Sequence, residues 1–151
     1  MIDYFSNILS RIVECNPAAL SRGISLLENE AEGYLKWLES LKPNSIPVIG
    51  ITGPPGAGKS TLLNGIIANL RNQGKRIGVL AVDPSSAFTH GSLLGDRIRM
   101  HTHFNDDKVY IRSLATRGSL GGLSAKAAEI CDLMKCYCFD FTLKLVIYIL
   151  T

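Results

Sequence analysis

The chain has 151 residues, 46% of them hydrophobic, and 16 basic residues stand against 13 acidic ones for a net charge of +3. This is one domain's worth of chain with ordinary globular composition, which excludes a disordered or fibrous protein. The small, unclustered positive excess offers no polyelectrolyte surface, so no nucleic-acid partner is expected.

The start, Met1-Ile2-Asp3-Tyr4-Phe5-Ser6, carries neither the basic stretch nor the long apolar run of a signal peptide, and a cytoplasmic protein is expected. Residues 1–45 read as an N-terminal helical segment. Asn16 is placed to cap a helix whose first residue is Pro17, and Leu20, Ile24, Leu27, Ala31, Leu35, Leu38 and Leu41 recur three or four apart on one face. Gly23 and Gly33 weaken that run and predict a break near residues 28–30. Lys42-Pro43-Asn44-Ser45 is a turn-rich joint, and the segment is expected to pack as a collar on the domain beyond that joint rather than to stand alone as a partner-binding helix.

The texture changes at Ile46. Pro47-Val48-Ile49-Gly50-Ile51-Thr52 has the short β-branched pattern of a buried parallel strand. A glycine-rich loop comes next, then a helical pattern over residues 59–72 with Leu62, Leu63, Ile66, Ile67 and Leu70, ended by Gly74. Residues 76–83 form a second apolar run, so strand, helix and strand make a βαβ unit, the mark of an α/β fold with a mostly parallel sheet flanked by helices. Beyond it the pattern predicts a loop over 84–95, a short helix over 96–103, a strand at 109–112, a loop at 118–122, a helix over 123–135 and a strand over 139–150. That last apolar stretch is interrupted by Asp140, Thr142 and Lys144 and falls short of the about 20 residues a membrane helix needs, so no membrane partner is expected. Cys15, Cys131, Cys136 and Cys138 lack the paired spacing of a zinc site and are expected to be buried, reduced thiols without chemistry.

Gly53-Pro54-Pro55-Gly56-Ala57-Gly58-Lys59-Ser60 fits the phosphate-binding loop G-x-x-x-x-G-K-[ST] at every fixed position, between a predicted strand and a predicted helix. Glycines there let backbone N–H groups approach a phosphate with no Cβ in the way, and the helix dipole points its positive end into the resulting nest. Lys59 can then reach the β- and γ-phosphates, the Ser60 hydroxyl can ligate Mg²⁺, and Thr61 can meet the α-phosphate. The bland alternative is a ligand-free strand-to-helix turn. Asp83, at the carboxyl end of the next strand, can hold Mg²⁺ or serve as a turn residue before Pro84. Asp96 can join the metal shell and position water, or cap the helix containing Ile98 and Met100. Arg99 and Arg117 can neutralise phosphate charge or lie solvated, and His90, His101 and His103 have no metal-like companions.

Four ordered stretches carry a family resemblance: Ile49 through Thr61 around the loop, Leu80-Ala81-Val82-Asp83-Pro84-Ser85-Ser86, Gly91-Ser92-Leu93-Leu94-Gly95-Asp96, and Arg117-Gly118-Ser119-Leu120-Gly121-Gly122. Together they resemble the MeaB/ArgK GTPases, the methylmalonyl-CoA mutase-associated GTPases long labelled LAO/AO transport ATPases, and the leading helix from Pro17 is similar too. The resemblance implies a P-loop NTPase fold, with residues 46–151 as its GTPase domain. It also implies binding and hydrolysis of GTP with Mg²⁺, service to a cobalamin-dependent methylmalonyl-CoA mutase as a chaperone, and a homodimer in the full-length form. It assigns Lys59, Asp83 and Asp96 to catalysis, Ser60, Asp83 and Asp96 to the metal, and residues 53–61, Pro54, Pro55 and Ala57 included, to the nucleotide.

The departure from the family comes after Phe139-Asp140. The strand of the family runs into Glu-Thr-Val-Gly, whereas here Leu145, Val146, Ile147 and Tyr148 occupy those positions and the guanine-reading Asn-Lys-x-Asp segment is not found. The expectation is a domain incomplete at its C-terminus, the product of a truncation or frameshift, with weak or no turnover. A small-molecule kinase using ATP and a non-catalytic nucleotide-binding remnant are the competing readings.

Overall fold

A computed structural model describes residues 2–54, 56–83, 101–103, 105–115 and 122–147. Three helices lead: α1 (Ile2–Val13), α2 (Pro17–Glu28) and α3 (Tyr34–Ser40). Then come β1 (Val48–Gly53), α4 (Lys59–Asn72), β2 (Ile77–Asp83), a single 3-10 turn (His101–His103), β3 (Val109–Ala115), α5 (Gly122–Lys135) and β4 (Phe141–Ile147). Asn16 caps α2 as its sequence position predicts, its side chain accepting from the Ala19 N–H at 2.9 Å with Pro17 as the first helical residue. The helical run breaks after Glu28, and Gly33 at φ 88° restarts it as α3. Gly74, at φ 77°, lies just past the end of α4. Of the short helix predicted over 96–103, only the 3-10 turn falls within the described residues.

The four strands are parallel and ordered β1-β4-β2-β3, so the crossover from β1 to β2 leaves room for β4 between them. Alternation along β2 sorts its side chains to two faces. Ile77, Val79 and Ala81 join Ile51, Val109 and Leu143 in a core closed by Leu63 and Ile67 of α4. Leu80 and Val82 join a second core with Leu114, Ile130, Leu133 and Met134, into which α1, α2 and α3 insert Ile12, Leu20, Ile24, Leu27 and Trp37. Gly78 faces this second core, where a Cβ would stand 2.7 Å from both Met134 Cε and Phe139 Cε2. The sheet is therefore covered on both sides, as a parallel sheet must be.

One strand differs from its sequence reading. Among the described residues β1 is an edge strand, and only Ile51 within it is buried. Its β-branched pattern reflects pairing with β4 and contact with α4, not burial on both faces.

Polar contacts fasten the collar to the far half of the sheet. Arg112 of β3 pairs with Glu28 and donates to Ser25 Oγ at 3.2 Å. The Ser21 and Tyr110 hydroxyls share a hydrogen bond at 3.0 Å, and Lys126 of α5 reaches Glu30 at 3.3 Å. Cys15 and Cys138 are joined by a disulfide, with Cα atoms 5.6 Å apart. This corrects the expectation of four reduced thiols: only Cys131 and Cys136 stay as buried thiols, whereas Cys15 and Cys138 are half-buried where the collar meets the root of β4.

On the other side of the sheet, Arg71 near the end of α4 pairs with Asp106 at 2.6 Å, ahead of β3. The Arg71 hydrogen bond holds the Asp106 carboxyl below its ordinary pKa. A depressed carboxylate pKa adds stability that is complete above the unfolded aspartate value of about 3.9 and is lost as pH falls through the folded value. Urea midpoints measured from pH 5 down to pH 2 should therefore fall less steeply in Arg71→Ala than in the parent chain.

Candidate functional site

The glycine-rich turn leaves the carboxyl end of β1 and enters α4 within five residues. Gly53 closes β1, and Gly58 is the residue preceding α4. Gly56 and Gly58 take φ of 77° and 83°, the left-handed region that side chains disfavour, and a Cβ at either would meet nothing within 4 Å. The surface over the turn is therefore open, as a cradle for an anion must be. The first N–H groups of α4 have no carbonyl of their own helix to bind, and they lie at the positive end of its dipole. One amide is already engaged: Ala57 N–H donates to the Pro54 carbonyl at 3.3 Å.

Lys59 stands in the first turn of α4 and folds back over the loop. Its Nζ donates to the Pro54 carbonyl at 2.7 Å, and its aliphatic stem lies 3.8 Å from where a Cβ on Gly53 would be. The ammonium is thus held across the mouth of the turn by one neutral carbonyl. Ser60 is half-buried beside it, and Thr61 is exposed. The helix is anchored by Leu63 and Ile67, both fully buried against the sheet.

Register brings a second residue to this edge. Thr52 pairs with Val146, and Val146 with Val82, so one step further along the sheet Gly53, Ile147, Asp83 and Ala115 form the row at its carboxyl ends. Asp83 is two strands from Gly53, about 10 Å at the usual strand spacing. Ligands of open α/β sheets gather on this side. Between the two lies β4, where Leu145 pairs with Ile51 and Ala81.

The structure therefore brings together Gly53, Pro54, Gly56, Ala57, Gly58, Lys59, Ser60 and Thr61, with the backbone of Asp83 on the same sheet edge. Pro55, Asp96, Arg99, Arg117, His90 and Tyr148 lie outside the described residues. Sequence reasoning missed the Lys59–Pro54 contact, which no spacing rule encodes. It also missed the Cys15–Cys138 pair, which is 123 residues apart and has no local signature.

Two concavities among the described residues lie away from the turn. A groove of about 830 Å³ is lined by Phe5, Ala31, Tyr34, Leu35 and Trp37 of the collar, among others. A cleft of about 230 Å³ at the opposite end of the strands is lined by Pro17, Arg76, Lys108, Tyr137 and Phe139, among others. Among the described residues no cluster of three or more metal-ligating side chains occurs, and no helix is long and apolar enough to cross a membrane.

Similarity to known proteins covers most of the chain. The family described as methylmalonyl Co-A mutase-associated GTPase MeaB matches residues 20–147. A protein of Pyrococcus abyssi provisionally named a GTPase is 44% identical over 142 residues, covering 93% of this chain and 43% of that protein. A protein of Geobacillus kaustophilus named fused isobutyryl-CoA mutase is 38% identical over 147 residues, 89% of this chain and 13% of its own length. The methylmalonic aciduria type A homolog, mitochondrial, of Caenorhabditis elegans is 40% identical over 111 residues, 71% of this chain and 27% of its own. The chain thus spans less than half the length of these relatives.

The left-handed turn yields a paired prediction on stability. Gly58→Ala should cost about 1–2 kcal/mol, the penalty of a side chain in that region. Gly65→Ala, in the exposed interior of α4 with nothing within 4 Å of the added Cβ, should instead gain about 0.5–1 kcal/mol. Urea unfolding of the two variants measures both signs.

Proposed function

The chain belongs to the family of methylmalonyl Co-A mutase-associated GTPases, and we propose on that basis that it binds GTP at residues 53–61. The observation that carries the proposal is the turn itself: two open left-handed glycines, helix-terminal amides and an ammonium group converge at the carboxyl edge of a parallel sheet. Backbone N–H groups of Gly56, Gly58, Lys59 and Ser60 cradle the β-phosphate, and Thr61 meets the α-phosphate. Lys59 gives up its contact with the Pro54 carbonyl for the β- and γ-phosphate oxygens. This exchange is favourable because a hydrogen bond between charged partners is stronger than one to a neutral carbonyl.

The residues present suit Mg²⁺, a hard cation usually held by one or two protein oxygens together with phosphates and water. Ser60 supplies a hydroxyl at the start of α4, and Asp83 a carboxylate from the same sheet edge. Asp96 is a third candidate on sequence grounds. Bound there, the ion would neutralise charge on the β- and γ-phosphates. The chain's own part in hydrolysis is electrostatic: Lys59 and the loop amides stabilise charge on the γ-phosphoryl group as water attacks in line.

Leu145 stands where the family carries a glutamate, so a carboxylate is missing near the ion and the attacking water. The proposal is therefore binding with slow turnover by this chain. In the full-length protein we assign the role of a homodimeric GTP-dependent chaperone of a cobalamin-dependent mutase in the cytoplasm. The family's association with methylmalonyl-CoA mutase supports a mutase client, and so does the relative named a fused isobutyryl-CoA mutase.

Titration calorimetry with GTP and ATP on this chain tests the reading. GTP should bind, and Lys59→Ala should weaken it roughly 10- to 100-fold, the equivalent of one charged hydrogen bond of about 1.5–3 kcal/mol. Because the guanine-reading segment is not found in this sequence, ATP should bind with similar affinity through the same phosphate contacts, and equal GTP affinity in Lys59→Ala would remove the phosphate cradle. Phosphate release should exceed the Lys59→Ala blank only slightly, and brisk turnover would refute the role given to Leu145.

A further inference from the structure

We infer that the Cys15–Cys138 pair is a thiol–disulfide exchange site for small thiols, in which Cys138 leaves, and returns, as the thiolate. Three observations converge on it. The bond joins the turn after α1 to the residues immediately before β4, and both cysteines are half-buried rather than sealed in the core. The Arg76 guanidinium donates to Cys138 Sγ at 3.3 Å, placing a positive charge on one sulfur of the two. The cleft of about 230 Å³ lies beside the pair without either cysteine in its wall: Arg76, Tyr137, Phe139 and Pro17 line it, with Asp106, Asp107 and Lys108 on its far side. That volume is below the range of drug-sized ligand pockets and suits a cysteine-sized group, free or at the centre of a short peptide.

The two sulfurs are unequal. A thiolate beside a cation is stabilised and leaves faster, so Cys138 is the leaving group. Cys15 is flanked by exposed Val13 and Glu14 and is the sulfur attacked. A small thiolate forms a bond to Cys15 Sγ as the Cys15–Cys138 bond breaks, and the electron pair goes to Cys138 Sγ beside Arg76. A second small thiolate then attacks the external sulfur of the mixed disulfide, releasing Cys15 as a thiolate. The sum is two thiols oxidised to one small disulfide and the protein disulfide reduced to two thiols, with the protons taken from the attacking thiols. A small disulfide drives the same steps backwards.

Cys136 is two residues away but does not compete. It is 5% exposed, and burial pushes its thiol pKa up. The Tyr137 hydroxyl, which donates to the Cys15 carbonyl at 2.8 Å, keeps the two segments together after reduction. The pair lies at the amino end of β4, a seven-residue strand about 23 Å long, and the glycine-rich turn lies at its carboxyl end. Exchange therefore changes how the collar is tied down without entering the phosphate site, and it stands whether or not GTP binds.

The test uses the full chain and glutathione. After equilibration with oxidised glutathione, alkylation under denaturing conditions should label only Cys131 and Cys136, and after excess reduced glutathione all 4 cysteines. The oxidised chain should melt higher than the reduced one. Arg76→Gln should slow reduction roughly threefold, because the departing Cys138 thiolate loses its neighbouring cation, while the urea midpoint of the reduced chain stays the same. Cys15→Ser, leaving Cys138, should be thiolated at pH 7 faster than Cys138→Ser. Labelling of all four cysteines in both buffers, or a bridge that includes Cys136, would overturn the site. Reduction of Arg76→Gln at the parent rate would overturn the assignment of Cys138 as the leaving sulfur.

Discussion

The site depends on a backbone constraint. The chain must turn from β1 into α4 within five residues and still leave amide hydrogens facing outward. An L side chain resists the left-handed conformation by about 1–2 kcal/mol at each such position, so the turn uses glycine at 56 and 58. Both ends of the turn are held independently of any ligand. β1 is hydrogen-bonded to β4, and α4 is pinned by Leu63 and Ile67 to the core that contains Ile51. The loop is thus preorganised by packing beneath it, and Lys59 waits over it on a single carbonyl. Binding an anion then requires one side chain to change partner rather than a segment to fold, which keeps the ordering cost of association low.

The same economy does not extend to the rest of the molecule, where the collar and the sheet are one hydrophobic body. Leu80 and Val82 of β2 and Leu114 of β3 share a core with Ile12, Leu20, Ile24, Leu27 and Trp37 from the leading helices. Without the collar this core would keep only the cover that α5 gives it through Ile130, Leu133 and Met134, and a parallel sheet tolerates a half-covered face poorly. Gly78 marks how tightly the layers meet, because Met134 and Phe139 fill the space a side chain would need. The ion pair of Arg112 with Glu28 and that of Lys126 with Glu30 sit around this apolar contact. They set its orientation more than its strength, since half-exposed ion pairs are worth little.

Local signals were legible in the sequence wherever one short stretch decides the outcome. Asn16-Pro17 announced the cap of α2, Gly33 the helix break, Gly74 the end of α4, and the loop from Gly53 to Ser60 its place between strand and helix. What failed required knowledge of neighbours. The pattern of β1 does not reveal that it lies at the edge of the sheet formed by the described residues, because its one partner there is β4, almost ninety residues later. The cysteines had no readable spacing because their pairing arises from the collar folding back across the root of β4. Asp83 reads as a strand-end residue from its sequence and is the last residue of β2, but its relation to Gly53 appears only once the register of three strands is known.

β4 separates what packing demands from what chemistry demands. To lie between β1 and β2, a strand needs a backbone that pairs on both sides and side chains that suit two covered faces; Phe141–Ile147 meets the first demand, and Leu143 lies fully buried in one core. The backbone pairing of residue 145 with Ile51 and Ala81 does not require a carboxylate at that position. The sheet can therefore close, the turn after Gly53 can take its shape and the amide cradle can persist with no acidic group at 145. On the proposed reading, phosphate recognition would rest on β1 and α4 and water activation would draw on the end of β4, so a substitution confined to β4 would weaken hydrolysis before it weakened binding.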